Sequence, residues 1–257
     1  MNSGRIEIMK FKAILTAILT LAFAASALAQ KAEPVKPAKL PTVKEVLDKY
    51  VKAIGGREAI QKPKTRVATG TMELVPMNLK GTFEAYSAPD SKSFTKMTID
   101  GVGDLLEGTD GKTAWAINPI QGSREKTGGE LAQSKLTNDF YRDARLEKLF
   151  PKMTLKGIEK VGEKDAYVIV AEAEGAPAET WYFDTQSGLL VRSDVTAFAP
   201  EGNQAMTFFY EDHRTVDGIL MPFRVRTQTP SFTIILTSTE VKHGAPIDDT
   251  KFARPKQ

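Results

Sequence analysis

The stretch GDLLEGTDGKTAWAIN, residues 103–118, indicates the fold most directly. It places Asp110-Gly111 between two runs of strand-forming residues, and this dipeptide in that position is a strong signal for a tight β-hairpin. Similar runs bounded by Gly, Pro, Asp or Ser turns continue along the chain. The strands that we predict cover residues 66–75, 79–87, 92–100, 103–109, 112–118, 153–161, 164–174, 178–184, 189–198, 203–213, 219–228 and 231–242.

Short connections between these strands predict antiparallel pairing, because a parallel crossover needs about a dozen residues. A meander of this length curls into a barrel or a strongly bent sheet. Pro222 predicts that its strand lies at a sheet edge or begins at that residue, since proline cannot donate to a ladder.

Two stretches break the β pattern with helical spacing. Thr42 and Glu45 form a capping-box pattern in front of an amphipathic run that ends at Gly55-Gly56. Residues 128–150 interrupt the meander with good helix formers and end before Pro151. In this second stretch we expect a helix with Leu136, Phe140 and Ala144 on one apolar stripe, and Asn138 or Thr137 as a cap.

The N-terminus has the pattern of an export signal. Basic residues precede an apolar run at 13–24, and Ala27-Leu28-Ala29 offers a cleavage site. We therefore expect a signal peptide over 1–29, cleaved near Ala29, and periplasmic localisation. A Pro- and Lys-rich flexible leader is expected over 30–41, followed by a single β domain over 42–257.

Composition excludes several kinds of chemistry. The 257 residues include no Cys and two His, and the formal net charge is +3. Disulfide scaffolds, cysteine nucleophiles and zinc fingers are therefore ruled out, and the small net charge gives no reason to expect a nucleic-acid partner. We expect no cofactor and no metal site, and we interpret Asp248-Asp249 as a capped turn.

No catalytic motif is recognisable. Glu211 or Asp212 with His213 is the one arrangement that could suggest a hydrolase, but catalysis also needs a third group and a pocket. We interpret this stretch as the polar end of a hairpin, and His243 as part of a final turn. The protein is therefore expected not to be an enzyme.

The apolar residues are more informative. Several strands carry large side chains on both faces, as in Trp181-Tyr182-Phe183, and such a sheet needs cover on both faces or encloses a cavity. Methionines suit a wall that accepts irregular apolar ligands, although they also serve as ordinary core filling. Both interpretations stay open on composition alone.

Several motifs together resemble a known family. The hairpin D-G-K-T-A-W-A-I-N-P is similar to one in the outer-membrane lipoprotein-sorting proteins, the LolA/LolB-like superfamily. Further similar segments follow in matching order over most of residues 42–255, namely Ile54-Gly55-Gly56, Tyr182-Phe183-Asp184 with Ser187-Gly188-Leu189, Tyr210–Phe223, and Ile247–Phe252 before Pro255.

The resemblance implies a mainly β fold with helices, in which a curved antiparallel sheet forms an unclosed β-barrel lidded by helices. It also implies a periplasmic carrier that holds acyl chains of lipoproteins or other lipids in a hydrophobic cavity. Residues 128–150 are the expected lid. The expected partners are an acylated lipoprotein or lipid, together with membrane-bound donor and acceptor proteins.

We expect seven side chains to line the hydrophobic cavity, with strand facing uncertain by one residue. They are Met72, Phe94, Trp115, Leu136, Phe140, Met206 and Phe208. The alternative is a structural or sensor module of the cell envelope, whose barrel would be filled.

The sequence departs from the family pattern at one position. The carrier proteins have an arginine that anchors the closed lid, directly before the proline that ends an early strand. Ala88 occupies this position here, in front of Pro89. The lid-anchoring hydrogen bonds of the family therefore cannot form from this residue.

Overall fold

The computed structural model describes residues 39–119, 122–198 and 202–255. Residues Pro41–Gln257 form one compact unit. The expected signal peptide and nearly all of the expected leader lie outside the described residues.

The described strands form one antiparallel sheet in the order β6-β5-β4-β3-β2-β1-β13-β12-β11-β10-β9-β8-β7. Its two outermost strands, β6 and β7, are not paired with each other in the described part of the chain, so the barrel is unclosed, as predicted. We call the gap between them the seam. The strands are β1 (Arg66–Val75), β2 (Leu79–Ala88), β3 (Lys92–Ile99), β4 (Gly103–Asp110), β5 (Ala114–Asn118), β6 (Gly122–Lys126), β7 (Lys152–Val161), β8 (Lys164–Glu172), β9 (Glu179–Asp184), β10 (Leu190–Ala197), β11 (Gln204–Val216), β12 (Ile219–Gln228) and β13 (Thr233–His243).

The described helices are short. They are α1 (Val43–Ala53), α2 (Gly56–Gln61), α3 (Gly128–Thr137) and α4 (Leu146–Leu149), with 3₁₀ turns at Arg142–Ala144 and Asp249–Phe252. The capping box of α1 is present as predicted, since the Thr42 hydroxyl accepts from the Glu45 amide and the Glu45 carboxylate accepts from the Thr42 amide.

The single apolar stripe predicted for the second helical stretch is wrong. Asn138 is the C-cap of α3, and its side-chain amide donates to the Ser134 carbonyl. Asp139 then accepts from the Tyr141 amide, which turns the chain out of the helix. Leu136 and Phe140 therefore lie on either side of a helix end, and do not share one helical stripe.

Two features of the sheet differ from the prediction. Strand β6 was missed because Gly-Ser-Arg-Glu-Lys has neither strand formers nor alternation, and its pairing with β5 is a tertiary effect. Pro222 lies in β12, between β11 and β13, and not in an edge strand. It is tolerated because β12 pairs with β13 only from Arg224 onward, so no β13 donor or acceptor faces Pro222.

The main core lies on the concave face of the sheet. Helix α1 buries Leu47, Tyr50 and Val51 against the inward residues of β8 and β9, among them Trp181 and Phe183. The Tyr50 and Phe183 rings are 5.1 Å apart. The same cluster includes Phe150 from the chain that follows α4, so the helices cover β8 and β9 on the concave face.

The junction after α1 shows why a glycine is needed there. The Leu220 amide donates to the Ile54 carbonyl at 3.0 Å, which fastens the helix end to the β11–β12 hairpin. A Cβ on Gly55 would lie 2.2 Å from the Gly218 carbonyl oxygen, and Gly55 has a φ of +116°. Only glycine allows this approach without displacing the backbone.

The convex face carries a second, smaller core. Phe94 and Trp115 pack there with Ala88, and Phe252 from the last 3₁₀ turn covers them. The Trp115 indole lies over Gly108, where a Cβ would meet the ring at 2.5 Å. The C-terminal 3₁₀ turn thus shields apolar side chains that would otherwise face solvent.

No helix within the described ranges is both long enough and apolar enough to cross a bilayer.

Candidate ligand-binding cavities

Two adjoining cavities lie on the concave side of the sheet, beneath residues 128–150. The first, the seam cavity, has a volume of about 400 Å³ and lies between α3 and strands β4, β6, β9, β10 and β11. The second, the histidine cavity, has a volume of about 340 Å³ and lies between the helices and strands β1, β10, β11, β12 and β13. Thr137, Arg142 and Tyr210 line both, so the cavities share a wall.

The seam cavity has a mixed lining. Its apolar side is made by inward residues of β10 and β11 with the residue that follows β10, namely Val195, Ala197, Phe198, Met206 and Phe208. Its polar side is made by α3 and by charged residues of β4, β6 and β9. Such a wall fits an amphiphilic ligand better than a purely apolar one.

Helix α3, which we call the seam helix, is attached mainly through polar contacts. The Gln133 side chain donates to the Thr196 carbonyl at 2.8 Å and accepts from the Phe198 amide at 3.0 Å. Glu130 accepts two hydrogen bonds from the Arg124 guanidinium. Ser134 is the buried residue of this helix. The helix therefore covers the seam cavity with little buried apolar surface.

The rest of the stretch, residues 139–150, is attached differently, and we call it the anchored segment. Ala144, Leu146 and Phe150 are buried in the main core. The Tyr50 hydroxyl donates to Asp143 at 2.9 Å, and Arg57 donates to the Ala144 carbonyl at 2.5 Å. This segment is thus held by an arginine that donates to a backbone carbonyl, but the arginine is Arg57 of α2 and does not occupy position 88.

A buried ion pair stands where the two cavities meet. Arg142 donates to Glu179 at 2.6 Å, and the Glu179 side chain, which also accepts from the Trp181 indole, is only 7% exposed. Burial lowers the pKa of Arg142, but the charge and hydrogen bond of Glu179 together with the effects of Tyr210 and Asp143 outweigh it, and the pKa is raised overall. The Arg142 Nε is buried without an acceptor among the described residues.

Both histidines of the chain face the histidine cavity. Burial lowers the pKa of His213, and the Lys164 charge acts in the same direction. Burial also lowers the pKa of His243, against the raising effect of its hydrogen bond with Asp217, while the Arg66 charge lowers it further. Both rings are therefore mainly neutral at pH 7.

Arg66 brings a positive charge to the same cavity. It pairs in register with His243 across β1 and β13, and its guanidinium lies 5.6 Å from the Phe140 ring centroid. Burial lowers the pKa of Arg66, and Asp143 opposes this shift. An arginine stays charged at neutral pH even so.

Five of the seven predicted lining residues are on the concave side or on the stretch that covers it. Met206 and Phe208 line the seam cavity, and Phe140 lines the histidine cavity. Met72 is 2% exposed and shares the face of β1 with Arg66, but it lines neither cavity. Leu136 is partly buried on the seam helix and also lines neither.

The other two predicted lining residues lie on the opposite face. Trp115 pairs with Glu125, and its neighbour Ala114 pairs with the seam-cavity residue Lys126. Because successive strand residues alternate, Trp115 points away from the cavities. Phe94 shares a cross-strand row with Trp115 through Gly108, so it also belongs to the convex core.

The polar cavity residues were not predicted from the sequence. Arg66, Arg142 and Tyr210 come from β1, the anchored segment and β11, and no local motif joins them. The alternation Arg66, Ala68, Gly70, Met72 could have shown that an arginine shares the inward face of β1. His213 and His243 were interpreted as turn residues, yet the structure brings both to one cavity.

The hydrolase arrangement does not assemble from the residues considered. Glu211 accepts from Arg224 and Arg226, and Asp212 accepts from Arg214. Neither carboxylate is hydrogen-bonded to His213 among the described contacts. Within the described ranges, no group of three or more His, Asp and Glu side chains is arranged to hold a metal ion.

Comparisons with known proteins identify the fold. Searches of protein-family profiles and of curated proteins each found no match. Among solved structures, the chain is similar to a DUF1329 family protein from Desulfovibrio piger, with TM-score 0.56 and 16% identity over 83% of this chain and 98% of that one. It is also similar to a LolA superfamily protein from Nitrosomonas europaea, with TM-score 0.54 and 14% identity over 84% and 99% of the two chains.

A third similar structure is a domain provisionally assigned as an outer membrane lipoprotein-sorting protein, from Vibrio parahaemolyticus. Its TM-score is 0.51, with 10% identity over 80% of this chain and 97% of that one. Together these structures confirm a LolA/LolB-like fold. At such low identity the likeness establishes the fold alone.

Proposed function

We propose that this protein is a periplasmic carrier that holds the acyl chains of a lipoprotein or another lipid inside the unclosed barrel. The observation that carries the proposal is the pair of adjoining cavities between residues 128–150 and the concave face. Each volume falls within the range of about 300–1,000 Å³ that is usual for small-molecule sites. A filled barrel, expected of a structural module, would lack this space.

The apolar wall of the seam cavity supports a role in binding acyl chains. Burial of an acyl chain gains about 0.8 kcal/mol for each CH₂ group removed from water. Val195, Met206 and Phe208 provide such a surface on two neighbouring strands. The seam helix covers this wall, and its displacement would open the cavity to a ligand.

The remaining parts of the proposal concern the cell envelope. Residues 1–29 have the pattern of a cleaved signal peptide, which supports export to the periplasm. The lipoprotein-sorting domain to which the fold is similar supports a role in lipid or lipoprotein transfer. A carrier of this kind would exchange its ligand with membrane-bound donor and acceptor proteins, without catalysis and without a cofactor.

The binding test uses the protein purified gently from the periplasm of an expressing bacterium. Native mass spectrometry would look for a co-purifying acylated species, and titration with fluorescent cis-parinaric acid would measure saturable binding to delipidated protein. We expect saturation at one or two equivalents. No bound species and no saturable probe binding would overturn the carrier and favour the structural or sensor module.

Three variants locate the binding. Met206→Asp places a negative charge in the seam cavity and should lower affinity for the anionic probe by at least ten-fold, whereas Met77→Asp, at a side chain 55% exposed on a hairpin tip, should leave it unchanged. Met206→Trp fills the same space without a charge and should also weaken binding. Equal affinities in all three variants would contradict binding in this cavity.

A further inference from the structure

We propose that the histidine cavity binds the oxyanion head group of an acyl amphiphile, a carboxylate or a phosphate monoester, with Arg66 as its main partner. The inference rests on the proposed carrier function, because the same interior would hold the acyl chain. It adds what that function leaves open, namely the charge of the ligand and the end of the interior at which its head group lies.

Arg66 is the group in this cavity best suited to an oxyanion. No described residue accepts a hydrogen bond from its guanidinium, although the side chain lines a cavity and packs over the Phe140 ring. A guanidinium presents a planar fork of N–H donors that matches a carboxylate or phosphate in two parallel hydrogen bonds. Packing against Phe140 limits where that fork can point.

The acidic residues around the cavities, in contrast, already have donors. Asp139 accepts from Arg145 at 2.8 Å, and Asp143 accepts from the Tyr50 hydroxyl at 2.9 Å. Glu179 at the junction accepts from Arg142 and from the Trp181 indole. Donors to an incoming oxyanion therefore remain, whereas the carboxylates that could compete for them are engaged.

A second arginine lies on the way from one cavity to the other. The Nε of Arg142 has no acceptor among the described residues, and Arg142 lines both cavities. The Nε itself is closed off from both cavities and the guanidinium is already paired with Glu179, so Arg66 remains the main partner of an oxyanion. An acyl chain could then run past this junction to Met206 and Phe208 in the seam cavity.

The test compares two probes that differ only in the head group. Delipidated protein is titrated with cis-parinaric acid and with its methyl ester at pH 8, and lysophosphatidic acid and lysophosphatidylcholine of equal chain length are used as competitors. We expect the acid to bind at least ten-fold more tightly than the ester, and lysophosphatidic acid to compete better than lysophosphatidylcholine. If lysophosphatidic acid displaces the probe at lower concentrations than free palmitate does, the head group is a phosphate. If palmitate displaces it at lower concentrations, the head group is a carboxylate.

The variant Arg66→Met keeps the length of the side chain but removes its donors. It should weaken binding of the acid by about 10- to 100-fold, as expected for hydrogen bonds to a charged group, and leave the ester unchanged. Arg224→Met makes the same replacement at a residue that lines neither cavity and pairs with Glu211, and it should change neither affinity. Arg66→Lys retains the charge without the fork and should fall between.

The outcomes separate this inference from the function on which it rests. Equal binding of acid and ester, unaffected by Arg66→Met, would overturn the head-group site but leave the carrier standing. Failure of both probes to bind the wild-type protein would overturn both. If Arg66→Met does not fold, Arg66→Lys and the wild-type preference for acid over ester decide the question without it.

Discussion

The two halves of the stretch 128–150 are attached to the barrel in opposite ways. The seam helix, Gly128–Thr137, is fastened by side-chain hydrogen bonds and buries little apolar surface. The anchored segment, 139–150, places Leu146 and Phe150 in the main core. The sequence predicts one lid over the whole stretch, but these contacts favour a lid formed by the seam helix, with the anchored segment as its fixed base.

The largest expected difference between the halves is in global stability. Phe150 is fully buried, and its ring lies 4.8 Å from that of Trp181. Phe150→Ala should lower the free energy of unfolding by about 3–5 kcal/mol, because it leaves a cavity in the core. Leu136→Ala on the seam helix should lower it by less than about 1 kcal/mol. Urea unfolding followed by circular dichroism measures the free energy of unfolding of both variants. Equal losses of stability would contradict the different attachment of the two halves.

A smaller difference should appear in local opening. Gln133→Ala removes both hydrogen bonds that fasten the seam helix to the end of β10. Each contributes about 0.5–1.5 kcal/mol, so amide exchange over Gly128–Thr137 should accelerate about ten-fold or more. Exchange over the anchored segment should stay as it is in the wild-type protein.

Hydrogen exchange with mass spectrometry resolves the two peptides. The matched control is Gln186→Ala, which changes an exposed residue in the β9–β10 turn. Acceleration in both halves together would show that the stretch opens as one unit, in which case the whole of 128–150 is the lid.

The smallest expected difference concerns pH. Burial lowers the pKa of His213 and of His243 below the ordinary value of 6.5. As the pH falls below about 6.5, the unfolded chain takes up protons on these residues before the folded protein does, so stability is lost. The stability that these neutral histidines contribute is fully present above about pH 6.5. The histidine cavity is walled in part by the anchored segment, whereas neither histidine lines the seam cavity.

The measurement is the free energy of unfolding at pH 7.5 and at pH 5.5, with hydrogen exchange at both. We expect lower stability at pH 5.5. After correction for the intrinsic pH dependence of amide exchange, the loss of protection between pH 7.5 and pH 5.5 should be larger in the anchored segment than in the seam helix. The double variant His213→Gln, His243→Gln should reduce the difference between the two pH values. An unchanged pH dependence in that variant would assign the effect to other groups.

Much of the fold could be predicted because its signals are local. The Asp110-Gly111 hairpin, the capping box at Thr42 and the alternation along most strands each depend on neighbouring residues. Strand β6 could not be predicted in this way, since its residues pair only because β5 offers an edge. The helix break after Thr137 was missed because Asn138 and Asp139 can begin a helix as well as end one.

The cavity residues were harder to predict, for a related reason. Residue type indicated that apolar side chains such as Met206 and Phe208 are buried. It did not indicate on which face of the sheet each buried side chain lies. A shift of one residue in register exchanges the two faces, and so Phe94 and Trp115 were placed in the cavity when they belong to the convex core. That core exists because Phe252, far away in the sequence, covers it.

Local signals account for a long antiparallel meander with a capped helix before it and a helical interruption within it, because turns, caps and strand periodicity are properties of adjacent residues. Which side chains meet, in contrast, depends on long-range contacts. Arg66, Arg142, His213 and His243 come from four separate segments and converge through the curvature and register of the sheet. The polar character of the interior, and with it the charge of the ligand that we propose, depends on that convergence.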